Sequence, residues 1–261
     1  MPIRKNSRIQ YSINTTFPFI LPTLKFVNKN SSRDLKRSDV RSYVIANFSQ
    51  GKSLKSEMDI VSKIIDRYLE EIDKKIILGD LGAALLKTWE RHPQTRNELL
   101  IIGFSQHFIV EFTLKEIHKY LIKVTRKISG NDLKKQIKSL DLYPKLAKNI
   151  ENNITEILKD LIRLKMLPEK ENNRIYNINY YQPTDLGLLY YILYYFPEGI
   201  TISLKSLDQS DLLKILLTDI INLKNAFESL VNKNLVKFES FADVQKYVIR
   251  IKTIKELNER I

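Results

Sequence analysis

The sequence predicts a mainly α-helical fold with small β-wings, in which tandem winged helix-turn-helix units surround a central helical block. Apolar residues recur at three- and four-residue spacing along most of the 261 residues, which is the period of an amphipathic helix. Glycine and proline are scarce, with 7 and 8 residues, so long irregular loops are not expected. Two alternating segments, 235–241 and 246–252, are joined by a short connection, which indicates a β-hairpin near the C-terminus.

Residues 1–35 are interpreted as a basic N-terminal segment. The first 56 residues hold eleven Lys and Arg against two acids, and so carry most of the formal net charge of +13. A surplus of this size attracts a polyanion, so nucleic acid is the first candidate partner. A proteome rich in Lys, Ile and Asn would produce the same surplus without a binding role. The apolar run 17–22, which contains two prolines, is predicted to be extended.

Residues 36–111 are predicted to be a helical region that is compatible with a helix-turn-helix. Helices are expected at 39–48 and at 54–72, where apolar residues form one stripe. Plain bundle packing would give the same pattern. A further helix is expected at 81–89, followed by a turn at His92-Pro93, because proline cannot donate a helical hydrogen bond.

Residues 112–182 are predicted to be a first winged-helix unit, with the order helix, turn, helix, helix and strand. The predicted bounds of these helices and the strand are 112–128, 132–140, 145–165 and 174–181. The third helix, 145–165, buries a face of Ile and Leu and exposes a face of Lys, Arg, Asn and Glu. In a helix-turn-helix protein, this is the helix that enters the major groove.

Residues 183–261 are predicted to be a second winged-helix unit. Its expected elements are helix 185–196 capped by Thr184, strand 200–204, helices 210–217 and 219–231, and the hairpin. This order of elements is the strongest architectural signal in the chain. The third helix exposes Lys224 among Asn and Glu residues, which is a poor surface for phosphate. The unit is therefore also compatible with the formation of a homodimer or with the binding of a protein partner.

Several classes of enzyme are excluded by the residue types that are absent or scattered. The chain has no cysteine, which rules out disulfides, thiolate catalysis and Cys-ligated zinc. No Gly-rich loop of the Walker type occurs, and the three histidines do not have metal-binding spacing. The densest acids, in 66–73, spread along the solvent side of a predicted helix. We therefore expect no catalytic residue, no metal site and no cofactor, and hence a protein that is not an enzyme.

Neither a signal peptide nor a membrane span is predicted. The longest apolar stretch is 186–196, which is far shorter than the roughly 20 residues needed to cross a bilayer. We expect a cytoplasmic protein without a membrane partner. The tyrosines between 190 and 195 are compatible with a base-stacking platform, but their helical spacing among Leu and Ile favours packing in the core.

The candidate DNA-binding residues form two groups, the basic start of the chain and the predicted helix 145–165. Lys and Arg would neutralise phosphates, and Asn amides can contact adenine edges in a major groove. The candidates are Arg4, Lys5, Arg8, Arg33, Lys36, Arg37, Arg41, Lys52, Lys55, Lys148, Asn149, Asn152, Asn153, Lys159 and Arg163. An exposed helix without a binding role, in a protein rich in Asn and Lys, would look the same.

Two segments resemble the small BrxA family of the BREX phage-defence systems. They are GDLGAALLKTWERHPQTRNELLIIGF, residues 79–104, and NIENNITEILKDLIRLKMLPE, residues 149–169. The resemblance covers about residues 36–181, whereas the basic start and the unit after Thr184 depart from a compact member of that family. It implies a winged-helix, DNA-binding accessory of a multi-gene defence system with no activity of its own, and no catalytic residues carry over.

Three hypotheses of function follow. The first is a non-enzymatic protein of a phage-defence or mobile-element system that binds double-stranded DNA through its basic surface and winged helices. The second is a scaffold or adaptor whose winged-helix units bind other proteins of a defence complex. The third is a nuclease whose metal ligands are distant in sequence.

Overall fold

A computed structural model describes residues 13–105, 107–123, 125–141, 150–168, 175–196, 201–203, 205, 211–241 and 244–261. The protein is mainly helical with small antiparallel sheets, which confirms the coarse fold class. The helices are α1 (Ile13–Lys29), α2 (Arg37–Phe48), α3 (Leu54–Tyr68), α4 (Asp80–Thr88), α5 (Pro93–Ser105), α6 (Phe108–Leu121), α7 (Gly130–Lys138), α8 (Asn152–Arg163), α9 (Asp185–Tyr195), α10 (Asp211–Ile215), α11 (Ile220–Asn232) and α12 (Ile254–Arg260). The strands are β1 (Leu69–Ile72), β2 (Lys75–Leu78), β3 (Lys127–Ser129), β4 (Ile175–Asn177), β5 (Thr201–Ser203), β6 (Val236–Phe241) and β7 (Val244–Ile249).

Helix α1 corrects the prediction of an extended segment at 17–22. Pro18 and Pro22 both lie inside this helix. A proline inside a helix costs about 3 kcal/mol, but each large apolar side chain that is buried contributes about 1.5–3 kcal/mol. Phe19, Ile20 and Leu24 are fully buried, so tertiary packing outweighs the local preference. The sequence pattern showed the prolines but not the core that α1 joins.

The helix predicted at 54–72 is shorter than expected, because its last turn is replaced by a hairpin. Helix α3 ends at Tyr68, and β1 pairs antiparallel with β2. Asp73 and Lys74 connect the strands with φ of 50° and 65°, the left-handed conformation that a two-residue hairpin turn requires. The Ile76 N–H also donates to the Leu35 carbonyl at 2.7 Å, which fixes the hairpin to the segment before α2.

The central helices follow the predicted break at His92-Pro93. Helix α4 ends at Thr88 and α5 starts at Pro93. The helix predicted at 112–128 is wrong in its bounds, since α6 spans Phe108–Leu121 and residues 127–129 form β3. The strand β3 pairs antiparallel with β4, and this pairing outweighs the helical spacing of the apolar residues in that stretch.

The C-terminal elements agree closely with the predicted order. The Thr184 hydroxyl caps α9 by accepting the Gly187 N–H at 2.9 Å. The strands β6 and β7 form the predicted hairpin, and β5 pairs with β7, which gives the strand order β5-β7-β6. Helix α12 was not predicted. Asn258 holds it in place by accepting from the Tyr190 hydroxyl at 2.7 Å and donating to the Asp80 carbonyl at 3.2 Å.

The long-range contacts of α1 position the predicted DNA-binding elements. This helix packs against α2 and α3 and also against α8. The Ile13 N–H at its start donates to the buried Asp160 of α8 at 2.8 Å, which satisfies one of the unpaired donors of the helix N-terminus. In the described part of the chain, no helix is both long and apolar enough to cross a membrane.

Candidate nucleic-acid interface

Part of the predicted interface lies outside the described residues. This applies to Arg4, Lys5, Arg8, Lys148 and Asn149. The other predicted residues lie in three places: the start of α2 with the loop before it, the turn between α2 and α3 with the first turn of α3, and helix α8.

The basic residues around α2 differ in how they are used. Arg33 and Lys36 are exposed. Arg37 pairs with Asp66 at 2.7 Å and with Glu71 at 3.5 Å, so carboxylates already compensate much of its charge. Arg41 is half-buried, and its Nε atom has no hydrogen-bond partner among the described residues. Arg33 and Lys36 are therefore better placed than Arg37 to meet a phosphate.

A buried carboxylate fixes the turn between α2 and α3. Glu57 accepts hydrogen bonds from the Gln50 N–H at 2.7 Å, the Ser49 hydroxyl at 3.0 Å and the Lys52 N–H at 3.2 Å. Desolvation raises the pKa of Glu57, but these hydrogen bonds together outweigh it and leave the pKa lowered. The exposed side chains of Lys52 and Lys55 therefore start from a well-ordered backbone.

Helix α8 has the two faces that the sequence predicted, within its described span. Its buried face holds Ile154, Leu158 and Leu161. The opposite side exposes Asn152, Glu156, Lys159 and Arg163, and Asn153 is half-buried. Lys159 pairs with Glu156 at 2.7 Å, an exposed pair that an incoming phosphate can replace at little cost. This stripe is polar and hydrogen-bonding along three turns of the helix.

An arginine–aromatic cluster at the end of α8 was missed by the sequence analysis. It consists of Phe17 of α1, Trp89 at the end of α4, Arg96 of α5 and Arg163 of α8. The Arg163 guanidinium lies 4.6 Å from the centre of the Phe17 ring, and that of Arg96 lies 5.6 Å from the same ring. The Phe17 and Trp89 rings are 5.2 Å apart. The four residues are too far apart in sequence for a spacing rule to group them. Pro93, at the start of α5, was the one local sign of the position of Arg96.

A cavity of about 360 Å³ lies between the end of α3, β1, the start of α4, the end of α9 and the start of α12. Its lining combines three carboxylates, Asp66, Glu70 and Asp80, with Arg67 and Lys252, so it does not favour an anion. Among the described residues, no group of three or more His, Asp or Glu side chains is arranged to hold a metal ion.

Comparisons with known proteins identify the fold but not a family. No protein-family model and no curated protein matches the chain. Among solved structures, an SspB crystal structure is similar with a TM-score of 0.66 and 9% identity, covering 100% of this chain and 90% of that chain. A magnesium ion-bound SspB crystal structure gives a TM-score of 0.62 and 11% identity, covering 94% of this chain and 83% of that chain. At this identity the likeness establishes a shared fold alone.

Proposed function

We propose that this chain is a non-enzymatic protein that binds duplex DNA, acting as an accessory or regulator in a phage-defence, BREX-like or mobile-element system. The observation that carries the proposal is the exposed stripe of α8, where Asn152, Lys159 and Arg163 stand opposite a buried apolar face. Amide and cationic side chains along one helix face suit base edges and phosphates at the same time.

The order of elements around α8 supports a winged-helix interpretation. Helix α6, strand β3, helices α7 and α8 and strand β4 follow one another, and β3 pairs with β4. The elements α9, β5, α10, α11, β6 and β7 repeat this order with a complete hairpin. The exposed face of α11, with Lys224 among Ile221, Asn225 and Glu228, is a poor surface for phosphate. In helix-turn-helix proteins the third helix of a unit enters the major groove. We assign that role to α8.

The test is a fluorescence-anisotropy titration of the whole chain with a random 30-base-pair duplex and the matching single strand at several salt concentrations. Duplex binding should weaken steeply with salt, because each phosphate that a cation neutralises contributes about 0.9 to the log–log slope. Lys159→Gln should lower that slope by about 0.9. Absence of duplex binding at low salt would reject the proposal.

Lys224→Gln is the matched control for this titration, since Lys224 is exposed on α11 and the substitution removes the same charge. Equal effects of the two variants would mean that net charge, rather than α8, determines binding. Because one similar solved structure holds a magnesium ion, the titration is run with and without MgCl₂, with supercoiled plasmid present in a parallel sample. Cleavage of the plasmid would mean that the protein is a nuclease, and this function would replace the proposal of non-enzymatic binding.

A scaffold function is the second candidate, and the surface of α11 favours it. The exposed face of this helix carries Ile221, which is 65% exposed, together with Lys224, Asn225 and Glu228. A large exposed aliphatic side chain suits a protein partner better than phosphate. Co-purification with proteins encoded by neighbouring genes, at a strength that nuclease treatment leaves unchanged, would support this function.

A further inference from the structure

The arginine–aromatic cluster brings two guanidinium groups together at a point where three helices end or begin. Arg163 is in the last turn of α8, Trp89 follows α4, and Arg96 is in the first turn of α5. The Asn97 amide donates to the Leu164 carbonyl at 3.2 Å and so holds the end of α8 against the start of α5. The geometry of the cluster is therefore set by the core of the protein.

Neutral groups hold Arg96 in this position. Its guanidinium donates to the Asn97 side-chain oxygen at 3.2 and 3.0 Å and to the Trp89 carbonyl at 3.2 Å. It also lies 5.5 Å from the centre of the Trp89 ring. Desolvation lowers the pKa of Arg96, and the charge of Arg163 lowers it further. Two cations are thus fixed near each other, and an anion between them would relieve their repulsion.

The surroundings of the cluster add positive charge that solvent can reach. Arg91, in the turn before α5, and Lys165, two residues after Arg163, are both exposed, and the exposed Glu90 beside Arg91 leaves one net positive charge. Arginine presents a planar fork of donors that matches two oxygens of one phosphate. The aromatic faces orient the guanidinium groups, and of the five N–H donors of Arg96 three are used by Asn97 and Trp89.

We propose that the arginine–aromatic cluster is a phosphate-binding site, which takes a phosphodiester group of the DNA backbone and fixes the register of α8 on the duplex. The proposal rests on the proposed function, because it assigns the backbone contact that orients the DNA-reading helix. Phosphate contacts of this kind set position without reading sequence.

The single tryptophan of the chain makes this site directly observable. Trp89 is the sole Trp, so the tryptophan fluorescence of the protein reports on this cluster alone. Titration with the 30-base-pair duplex should change the emission of Trp89 over the same concentration range in which the anisotropy of labelled duplex rises. Inorganic phosphate should also change the emission, beyond the change caused by NaCl at equal ionic strength.

Two substitutions of the exposed Arg163 test the site while the buried contacts stay in place. Arg163→Gln should weaken duplex binding about tenfold, the effect of losing one charge-assisted contact. Arg163→Lys should recover part of that loss, since it keeps the charge but not the fork. Lys224→Gln is the control, and thermal unfolding of each variant shows whether it folds.

The outcomes separate this site from the general function. Duplex binding with unchanged Trp89 emission and with Arg163→Gln equal to the unsubstituted protein would overturn the site and leave the proposed function standing. A lower unfolding temperature for Arg163→Gln with unchanged duplex affinity would mean that the arginines serve only to stabilise the helix ends. If the duplex does not bind but phosphate changes the emission more than NaCl does, the anion site stands and the proposed function fails. No response to either ligand would reject both.

Discussion

Glu98 of α5 is a carboxylate that is completely buried at the start of α9. It accepts hydrogen bonds from the Tyr181 hydroxyl at 2.9 Å and the Thr184 N–H at 2.7 Å, and the Thr184 hydroxyl donates to its other oxygen. Burial raises the pKa of Glu98 to about 7, although the hydrogen bonds from Thr184 and Tyr181 act in the opposite direction. Through this group, α5 is tied to the segment that leads into α9.

The raised pKa of Glu98 predicts a dependence of stability on pH. The protonated form is favoured in the folded state, so this contribution is complete below the unfolded pKa of 4.5 and is lost as the pH rises through about 7. The loss between these values should be of the order of 3 kcal/mol. Glu98→Gln should flatten this part of the profile, as measured by urea unfolding at pH 4.5 to 7.5. Glu90→Gln, at an exposed carboxylate, is the control; identical profiles for Glu98→Gln and the unsubstituted protein would contradict the prediction.

For single residues, the sequence predicted exposure better than it predicted partners. The helical period correctly placed Asn152, Lys159 and Arg163 on the outside of α8. It could not show that Arg37 pairs with Asp66, 29 positions away, because nothing local distinguishes a paired arginine from an unpaired one. Nor could the sequence show that Arg96 and Arg163 lie beside the same aromatic ring. A charge count therefore finds a basic segment, but folding decides which charges meet a ligand.

Among the elements, those defined by local signals were predicted and those defined by distant contacts were not. The cap at Thr184 and the alternation of β6 and β7 are encoded within a few residues. In contrast, α1 contains two prolines and depends on its packing against α3 and α8. The strands β1 and β2 continue the apolar spacing of α3, so the pattern alone predicted a longer helix. The turn residues Asp73 and Lys74 are not a strong hairpin signal.

The packing of α9 against α5 gives a prediction at the scale of elements. Glycine inside a helix normally costs about 1 kcal/mol relative to alanine, but a Cβ at Gly187 would overlap a carboxylate oxygen of Glu98. Since Glu98 is buried and held by three hydrogen bonds, it cannot move aside. Gly187→Ala should therefore lower the free energy of unfolding by about 1–3 kcal/mol.

Gly130 of α7 is the matched control for that substitution. A Cβ there would meet its nearest neighbour, a Leu158 methyl group, at 3.6 Å, an ordinary contact. Gly130→Ala should leave stability unchanged or raise it slightly. Urea unfolding of both variants compares the two sites, and equal stabilities would show that α5 and α9 are not packed as closely as described.

At the scale of the whole molecule, shape and sequence carry different information. The fold is shared with SspB structures over nearly the whole chain at 9–11% identity, while no family model matches. A fold persists when apolar positions keep their period and volume, because packing tolerates many exchanges among hydrophobic residues. Function resides in the exposed residues that such exchanges do not constrain. For this chain, we propose that those residues are the unevenly distributed Lys and Arg side chains.

The uneven charge leads to a prediction for the first ten residues. They contribute Arg4, Lys5 and Arg8, three of the cations assigned to the phosphate backbone. Deleting residues 1–10 should weaken binding of all duplex sequences about equally and lower the salt slope by up to about 2.7, because each lost phosphate contact removes about 0.9. Anisotropy titrations of the full and shortened chains, with two unrelated duplexes at several salt concentrations, measure both quantities. An unchanged affinity and slope would confine the interface to the α2–α3 region, α8 and the arginine–aromatic cluster. A loss of affinity for one of the two duplexes alone would mean that the segment reads sequence.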